Sequence, residues 1–483
     1  MAGKRTAVIT EKMVLIVFML LPVLTISLNY DNDIWFLLNQ GKYVLENGFP
    51  TIEPFTVHNN LQFLVQQWLF DIILYGSYAT FGKIGVLAIV YICSFIILKL
   101  IYKLCLLLSE GEFVLSVVLS TLCYFVLCLW FMVSRPQVFT YIIALLELCI
   151  LEYYAAKGTW RVLMVLPLLS ALLINMHCAM WWLGFAFLCP YILESLIRRV
   201  NCQNMRWSHL LLTAVAMFAT GFINPYGVQA LVYVFSAFGD NSISSSIMEM
   251  CAPDIKSLNG ACFYVLLFLV VTCYIGNRMG KTRLRYVLLS LGTTFMALMS
   301  IKSIAYFAIG TLIPLAYHMK NLAHKLVLKP GKNRRQLRLI VLFLAIIVVL
   351  SSWVQLNDYD QRKDYPPAKE ALTYLRENTE VSQVVLYTGF YDGGYAEYLG
   401  FRTYIDPRAE VFVKLNNKQK DIFQEYLSLQ EGQLHYREFL DHYEFTHILT
   451  TDDDIMGIYL SQDADYVVYY EDQNSKIFTL RTE

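Results

Sequence analysis

Apolar runs of about 20 residues, the length that crosses a bilayer's hydrocarbon core, recur along the first three quarters of the chain. Because lipid satisfies no backbone hydrogen bonds, such runs must be helical. They fall near 13–29, 84–104, 113–134, 137–155, 162–177, 179–196, 208–224, 258–275, 286–301, 303–319 and 339–355. That makes eleven spans, with ten or twelve also compatible because several are short or adjoin. Hydrophobic residues make up 57% of the chain and charged ones 16%, too few charges for an ordinary soluble enzyme or a disordered protein. Lys4, Arg5 and Lys12 precede the first run and no small-residue cleavage site follows it, so an uncleaved span is expected there.

The formal net charge of zero hides two unlike parts. Residues 1–356 carry 26 Lys+Arg against 14 Asp+Glu, whereas 357–483 carry 12 against 24. A balance of zero excludes a nucleic-acid binder driven by bulk charge. With the N-terminus cytoplasmic, 21 basic residues of the first part fall in cytoplasmic segments and 5 (Lys42, Lys83, Arg135, Lys256, Lys302) in outer ones, as the positive-inside rule requires. This assignment keeps 62–82 from crossing and makes 357–483 a soluble extracytoplasmic domain. All 11 cysteines lie in the first part, mostly within spans. No disulfide framework or metal-ligand spacing is visible, and no cofactor is expected.

Sorted by side, the polar exceptions gather at the outer rim, while the inner rim offers only basic loop residues. The outer set comprises Asp31 and Asp33 after the first span, Arg135 and Gln137, Asn175 and His177, the turn Asn224-Pro225-Tyr226-Gly227, Glu249 and Asp254, and Lys302. The first outer loop, 30–83, is long. Ile34, Leu37, Leu38, Gly41 and Leu45 share one helical face, which predicts an interfacial helix over 33–46 ended by Gly48 and Pro50. A second apolar stretch, Trp68–Tyr78, is expected to lie along the surface until Gly82 starts the next span.

The outer domain reads as α/β. Helices are expected from Pro366 and Pro367 to Arg376, at YAEYLG, within 417–428 and at 434–442. Strands are expected at SQVVLYT, FRTYID, FTHILTT, DYVVYYED and SKIFTLR. Tyr391-Asp392-Gly393-Gly394-Tyr395 reads as a glycine turn before a helix, either a ligand position at a strand end or simply a tight turn. Asp406-Pro407-Arg408 either marks a ligand position at a strand end or is an internal ion pair. Asp452, Asp453 and Asp454 are expected in a solvated loop.

The strings DNDIWFLLNQGKYVLENGFPTIEPFT, QQWLFDIILYGSYATFGKIG, SRPQVFT, NMHCAMWWLGF, INPYG and FYDGGYAEYLGFRTYIDPRAEVF, with the architecture, resemble a bacterial branch of the GT-C superfamily of multi-pass membrane glycosyltransferases. That branch has His after its Asp-Xaa-Asp-Xaa-Trp start and Glu before a Trp-Leu pair. Here Leu37 or Leu38 and Gln67 stand in those places. The resemblance implies a GT-C-like membrane domain at 1–356 with an extracytoplasmic α/β domain at 357–483. It also implies inverting-type transfer of a sugar from a polyprenyl-phosphate carrier to a glycan, lipid or protein acceptor of the cell envelope.

Such transfer needs a carboxylate to take the acceptor's proton and cations to hold the departing phosphate. Asp33 or Asp31 is the candidate base; the competing role for Asp33 is to cap the helix it precedes. Arg135 and Lys302 are the candidates for the phosphate, with His177 as an auxiliary donor. Glu249, with Asp254, could bind acceptor or a divalent ion, and Trp35 and Trp68 could stack on sugar rings. A flippase or transporter of lipid-linked glycans and a non-catalytic scaffold are the rival classes. No internal repeat of spans favours a transporter.

Overall fold

Over its described residues each expected span falls largely on helix in the computed structural model, which describes residues 2–26, 31–197, 204–237, 241–276, 283–327, 333–362, 366, 368–451 and 454–481. Arg198, Arg199, Arg278, Lys281, Lys329 and Lys332 of the orientation argument, Pro367, and Asp452 with Asp453 lie outside the described residues. Trp68–Leu108, Gln137–Lys157, Cys178–Ile197 and Leu258–Gly276 are each long and apolar enough to cross a membrane, and Phe113–Leu129, Trp160–Met176, Trp207–Thr220, Leu284–Met299 and Leu339–Val354 are shorter apolar helices. The chain is a multi-pass helical membrane protein with a small C-terminal α/β part. Its residues divide into two compact units, one of Met1–Leu28, Leu87–Gly227 and Ser245–Tyr359, the other of Asn29–Val86, Val228–Ser244 and Asp360–Glu483.

The first unit is the helical one. Small side chains set its closest approaches: Ser170 Oγ donates to the Met217 carbonyl at 2.9 Å and accepts from Trp181 Nε1 at 2.8 Å. A Cβ on Gly221 would sit 2.3 Å from the Trp181 ring. Loops that strict alternation of spans puts on one side do meet each other. At one end Lys320 pairs with Glu110 and Asn204 Nδ2 donates to the Ala156 carbonyl at 2.9 Å. At the other end Ser300 Oγ donates to the Glu249 carbonyl at 3.0 Å.

The end of the helical unit that the sequence reading gave only basic loops holds more than those, which corrects that reading. Arg285 lies inside the helix Leu284–Met299, buried, with Nε 2.9 Å from Glu152 Oε1 and Nη1 2.7 Å from Glu194 Oε2. Tyr191 and Tyr286 hydroxyls donate to the same Glu152 at 2.7 and 2.8 Å. A buried charge is tolerated only when paired and hydrogen-bonded, and this one is. The polar exceptions therefore do not all gather on one face.

The second unit is built on a five-stranded sheet of β1 (Val385–Tyr387), β2 (Arg402–Thr403), β3 (His447–Thr451), β4 (Tyr466–Glu471) and β5 (Ser475–Leu480), in the order β2-β1-β3-β5-β4. β1 is parallel to β2 and β3, while β5 is antiparallel to β3 and β4. Helices Lys369–Asn378, Phe390–Tyr398, Ile422–Gln430, Tyr436–His442 and Ile455–Leu460 accompany the sheet. Two expectations fail here. Gly393 and Gly394 lie within the helix Phe390–Tyr398 and make no turn. Gly393 serves by lacking a side chain: a Cβ there would meet the Ile405 carbonyl at 1.9 Å. Asp454 is buried, not solvated, and caps Ile455–Leu460 by accepting from Met456 N at 3.0 Å.

The first loop packs into this unit. Its helix Ile34–Asn47 crosses the helix starting at Trp68 so closely that a Cβ on Gly41 would lie 2.2 Å from the Asp71 carbonyl. Gly82, at φ 56 and ψ −141, breaks Trp68–Leu108 where the apolar stretch was expected to give way to the span. Residues 56–62 run along the edge strand β2. Val57 N donates to the Thr403 carbonyl at 2.9 Å, and Arg402 Nε donates to the Thr56 carbonyl at 2.9 Å. An edge strand left bare would be a template for foreign pairing, and the loop covers it.

Candidate functional site

Four of the predicted site residues, from four segments of the helical unit, come together. Arg135 follows the helix Phe113–Trp130 and precedes Pro136, whose fixed φ suits the start of Gln137–Lys157. Its Nη1 lies 2.8 Å from Oε2 and 3.1 Å from Oε1 of Glu249. Lys302, in the turn between Leu284–Met299 and Ile304–Phe307, brings Nζ to 3.7 Å from the same Oε2. That turn is pinned to the Glu249 segment by Ile301 N donating to the Cys251 carbonyl at 2.9 Å. His177 sits at the end of Val165–Met176, buried, with Nδ1 2.9 Å from Thr140 Oγ1. Lys302 acts electrostatically on His177, and Arg135 and Glu249 act on Tyr141. Two cations thus converge on one carboxylate beside a histidine and a tyrosine.

Among the described residues, two cations meet one carboxylate here. A carboxylate and a phosphate oxygen present the same kind of acceptor to a guanidinium. Asn175, two residues before His177, does separate work: its Nδ2 bridges the Ala171 and Ile223 carbonyls at 2.7 Å each. The string Asn224–Gly227 is a turn, with Asn224 Oδ1 accepting from Tyr226 N at 2.8 Å and Gly227 at φ 55.

Asp31 and Asp33 belong to the other unit. Asp31 Oδ1 accepts from Asp33 N at 3.0 Å, and the Asp31 carbonyl accepts from Ile34 N at 3.1 Å, so Asp31 fixes the backbone where the helix begins. Asp33 occupies the N-cap position of Ile34–Asn47, but its side chain makes no capping hydrogen bond. The competing structural role thus falls to Asp31, which is buried, whereas Asp33 is half-buried. Asn32 Nδ2 donates to the Tyr391 carbonyl at 2.7 Å and ties this turn to the C-terminal part.

The two tryptophans are held by protein rings. Trp35, 8% exposed, lies 4.7 Å from the Tyr395 ring and 5.2 Å from Tyr398. It fastens the helix to Phe390–Tyr398, where the sequence suggested sugar stacking. Trp68 is half-buried and meets Phe49 edge-on at 5.1 Å.

A buried ionic cluster in the same unit escaped the sequence reading. Arg408 is 2% exposed and donates to Asp406, with Nη2 2.5 Å from Oδ2 and Nε 2.8 Å from Oδ1. The same Nη2 reaches Glu53 Oε1 at 3.0 Å and Glu397 Oε2 at 3.3 Å. The Asp406–Arg408 pair is therefore internal, the second of the two readings left open. Burial, and after it the charge of Asp406, pushes the Glu397 carboxyl well above the usual range, so it keeps its proton and relieves an acidic excess. Asp71, fully buried with neither oxygen hydrogen-bonded, lies within electrostatic reach of Arg408. Glu53 stands in TIEPFT and Arg408 in IDPRAEVF, two strings that carried the family resemblance, and that was the available signal. Among the described residues no group of three His, Cys, Asp or Glu side chains is arranged to hold a metal ion.

No family model matches the chain, and no curated protein matches it. Solved structures do. The oligosaccharyltransferase of Archaeoglobus fulgidus in its apo form superposes with a TM-score of 0.59 at 11% identity, over 92% of this chain and 69% of that one. ArnT from Cupriavidus metallidurans in its apo state gives 0.53 at 12% identity, over 99% and 98%. The same protein bound to undecaprenyl phosphate gives 0.54 at 11% identity, over 98% and 97%. The fold is that of the GT-C multi-pass membrane glycosyltransferases. With ArnT the GT-C likeness runs through essentially the whole of both chains, the C-terminal α/β part included.

Proposed function

We propose that this GT-C protein transfers a sugar from a polyprenyl-phosphate carrier to a hydroxyl of a cell-envelope acceptor, with inversion, on the extracytoplasmic side. The acceptor oxygen bonds to the anomeric carbon while the bond from that carbon to the phosphate oxygen breaks. The electron pair leaves with the lipid phosphate, and the hydroxyl proton passes to Asp33. Asp31 orients Asp33 through the hydrogen bond it accepts from the Asp33 N–H. Arg135 and Lys302 meet the charge that develops on the phosphate, Glu249 gives way to it, and His177 serves as an additional donor. Charge-assisted contacts of this kind are worth most where water is excluded. As written, the reaction needs no metal ion.

The observation that carries this reading is the convergence of Arg135 and Lys302 on one carboxylate in a fold shared with an undecaprenyl-phosphate-bound protein. Support for the orientation comes from the 21 to 5 distribution of basic residues. The test compares lipid-linked and surface glycans of cells with and without the protein, with the Asp31→Asn/Asp33→Asn variant alongside. Loss of one glycan that the native gene restores and the double variant, inserted at normal abundance, does not is the expected result. Full restoration by the double variant would remove both aspartates from the chemistry, and an unchanged glycan profile would favour a scaffold.

A further inference from the structure

The second unit contains a cavity of about 530 Å³ that the transfer chemistry does not use. This lies within the roughly 300–1,000 Å³ range of small-molecule sites. One wall is the first-loop segment with Val57, His58 and Asn59; the other comes from Arg402 at β2, Gln419 and Lys420, and His442 to Phe445. Beside the aliphatic Val57, Leu61, Val385 and Ile422, its lining side chains are of three kinds. Tyr443, half-buried, is the aromatic surface, backed by the buried Phe445 stacked on it with ring centroids 5.3 Å apart and 28° between planes. Asn59, Gln419, His58 and His442 supply planar amide and imidazole groups. His58 Nε2–H donates to the Tyr404 carbonyl at 2.8 Å, which leaves Nδ1 as an acceptor. Burial holds this imidazole neutral, down to about 4.

The ionic groups are unequal. Lys420 is spent: Nζ lies 2.5 Å from Glu425 Oε1 and 3.1 Å from the Tyr443 hydroxyl. Arg402 is exposed, makes no ion pair among the described residues, and is aimed by the bond from its Nε to the Thr56 carbonyl at 2.9 Å. Its terminal nitrogens remain for a ligand, and Glu444 adds one negative charge to the lining. The unspent guanidinium offers a planar, bidentate fork that matches a carboxylate head, and Glu444 in the same lining weighs against a dianionic phosphate. Planar polar groups around an aromatic face suit a ring that has hydroxyls on its edge and C–H bonds on its face.

We propose that this cavity binds a carboxylated pyranose, a uronic-acid unit of a glycan, with its carboxylate on Arg402 and its ring on Tyr443. The site is independent of the transfer reading, because binding requires neither Asp31 nor Asp33. The test uses the purified full chain in detergent and three probes: methyl glucuronide, methyl glucoside and inorganic phosphate. Binding is read by saturation-transfer NMR and calorimetry. Methyl glucuronide should bind about tenfold more tightly than the glucoside, the size of one charge-assisted contact. Arg402→Gln should erase that preference. Glu444→Gln, an exposed change that leaves folding intact, should tighten the glucuronide alone. The Asp31→Asn/Asp33→Asn variant should bind as the native chain does, so failure here and failure of the transfer reading are separable. No glucuronide binding, equal binding of both sugars, phosphate displacing the glucuronide at equal concentration, or indifference to Glu444→Gln would each overturn the proposal.

Discussion

At the scale of single residues the molecule depends on how a few buried charges are met. Arg408 faces Asp406, Glu53 and Glu397 with all four side chains at or below 4% exposure. Removing the cation leaves carboxylates stranded away from water, which costs about 3–5 kcal/mol where one partner of a buried pair is lost. Arg408→Met should therefore lower the melting temperature of the purified protein sharply. Glu53→Gln, which keeps shape and hydrogen bonding, should lower it far less, and equal effects would contradict the charge argument. His58 makes a second prediction, with the sign set by linkage. Its folded pKa, lowered mainly by burial to about 4, lies below the ordinary 6.5, so the folded protein resists the proton. The stabilisation is complete above pH 6.5 and is lost as pH falls toward 4. Between pH 8 and pH 5 the native protein should lose about 2 kcal/mol that His58→Gln does not lose. Thermal melts of both proteins at the two pH values check this, and parallel losses would refute it.

At the scale of elements, sequence served well where one physical signal dominates. Lipid demands a long apolar run per span, so helices such as Gln137–Lys157 and Leu258–Gly276 were legible nearly to the residue. β4 and β5 were legible from their flanking polar turns, whereas FRTYID forms only the two-residue β2, because its continuation Tyr404–Asp406 leaves the sheet to pack on neighbouring helices. Asp-Gly-Gly-Tyr was misread for a definite reason. Paired glycines signal a turn through backbone freedom, yet neither Gly393 nor Gly394 has a positive φ. They are small so that a helix can touch another backbone, and tertiary proximity leaves no mark on local sequence. Gly393→Ala should thus be destabilising: relieving a Cβ 1.9 Å from the Ile405 carbonyl costs about 1–3 kcal/mol or more, against roughly 1 kcal/mol gained in helix propensity. Gly76, also helical but with nothing within 4 Å of its would-be Cβ, is the control. Gly76→Ala should raise the melting temperature slightly, and a fall in both variants would show that the Gly393 effect is not the contact.

At the scale of the whole molecule, the site was legible only in part. The alternation of spans put Arg135, Glu249, His177 and Lys302 on one side, and the structure brings all four together. What the alternation could not reveal was that the loop 30–83 is built into the C-terminal unit through Glu53, residues 56–62 and Asn32, since those bonds join positions more than 300 residues apart. The charge asymmetry argues the remaining large-scale property. Lys and Arg in short loops resist translocation while acidic residues contribute little. On that rule the basic excess is expected to set the direction of the first part, with the acidic segment after Tyr359 following on the far side. A reporter enzyme that works only outside the cytoplasm, fused after Glu483, should be active, and the same reporter fused in the segment between Lys157 and Trp160 should be silent. Adding a cluster of four lysines beside Lys302 should weaken this contrast, because it raises the basic count on the side that now carries the fewest. If the fusion after Glu483 is silent and the one near Lys157 active, the polarity is reversed and the aspartates, with Arg135 and Lys302, face the cytoplasm.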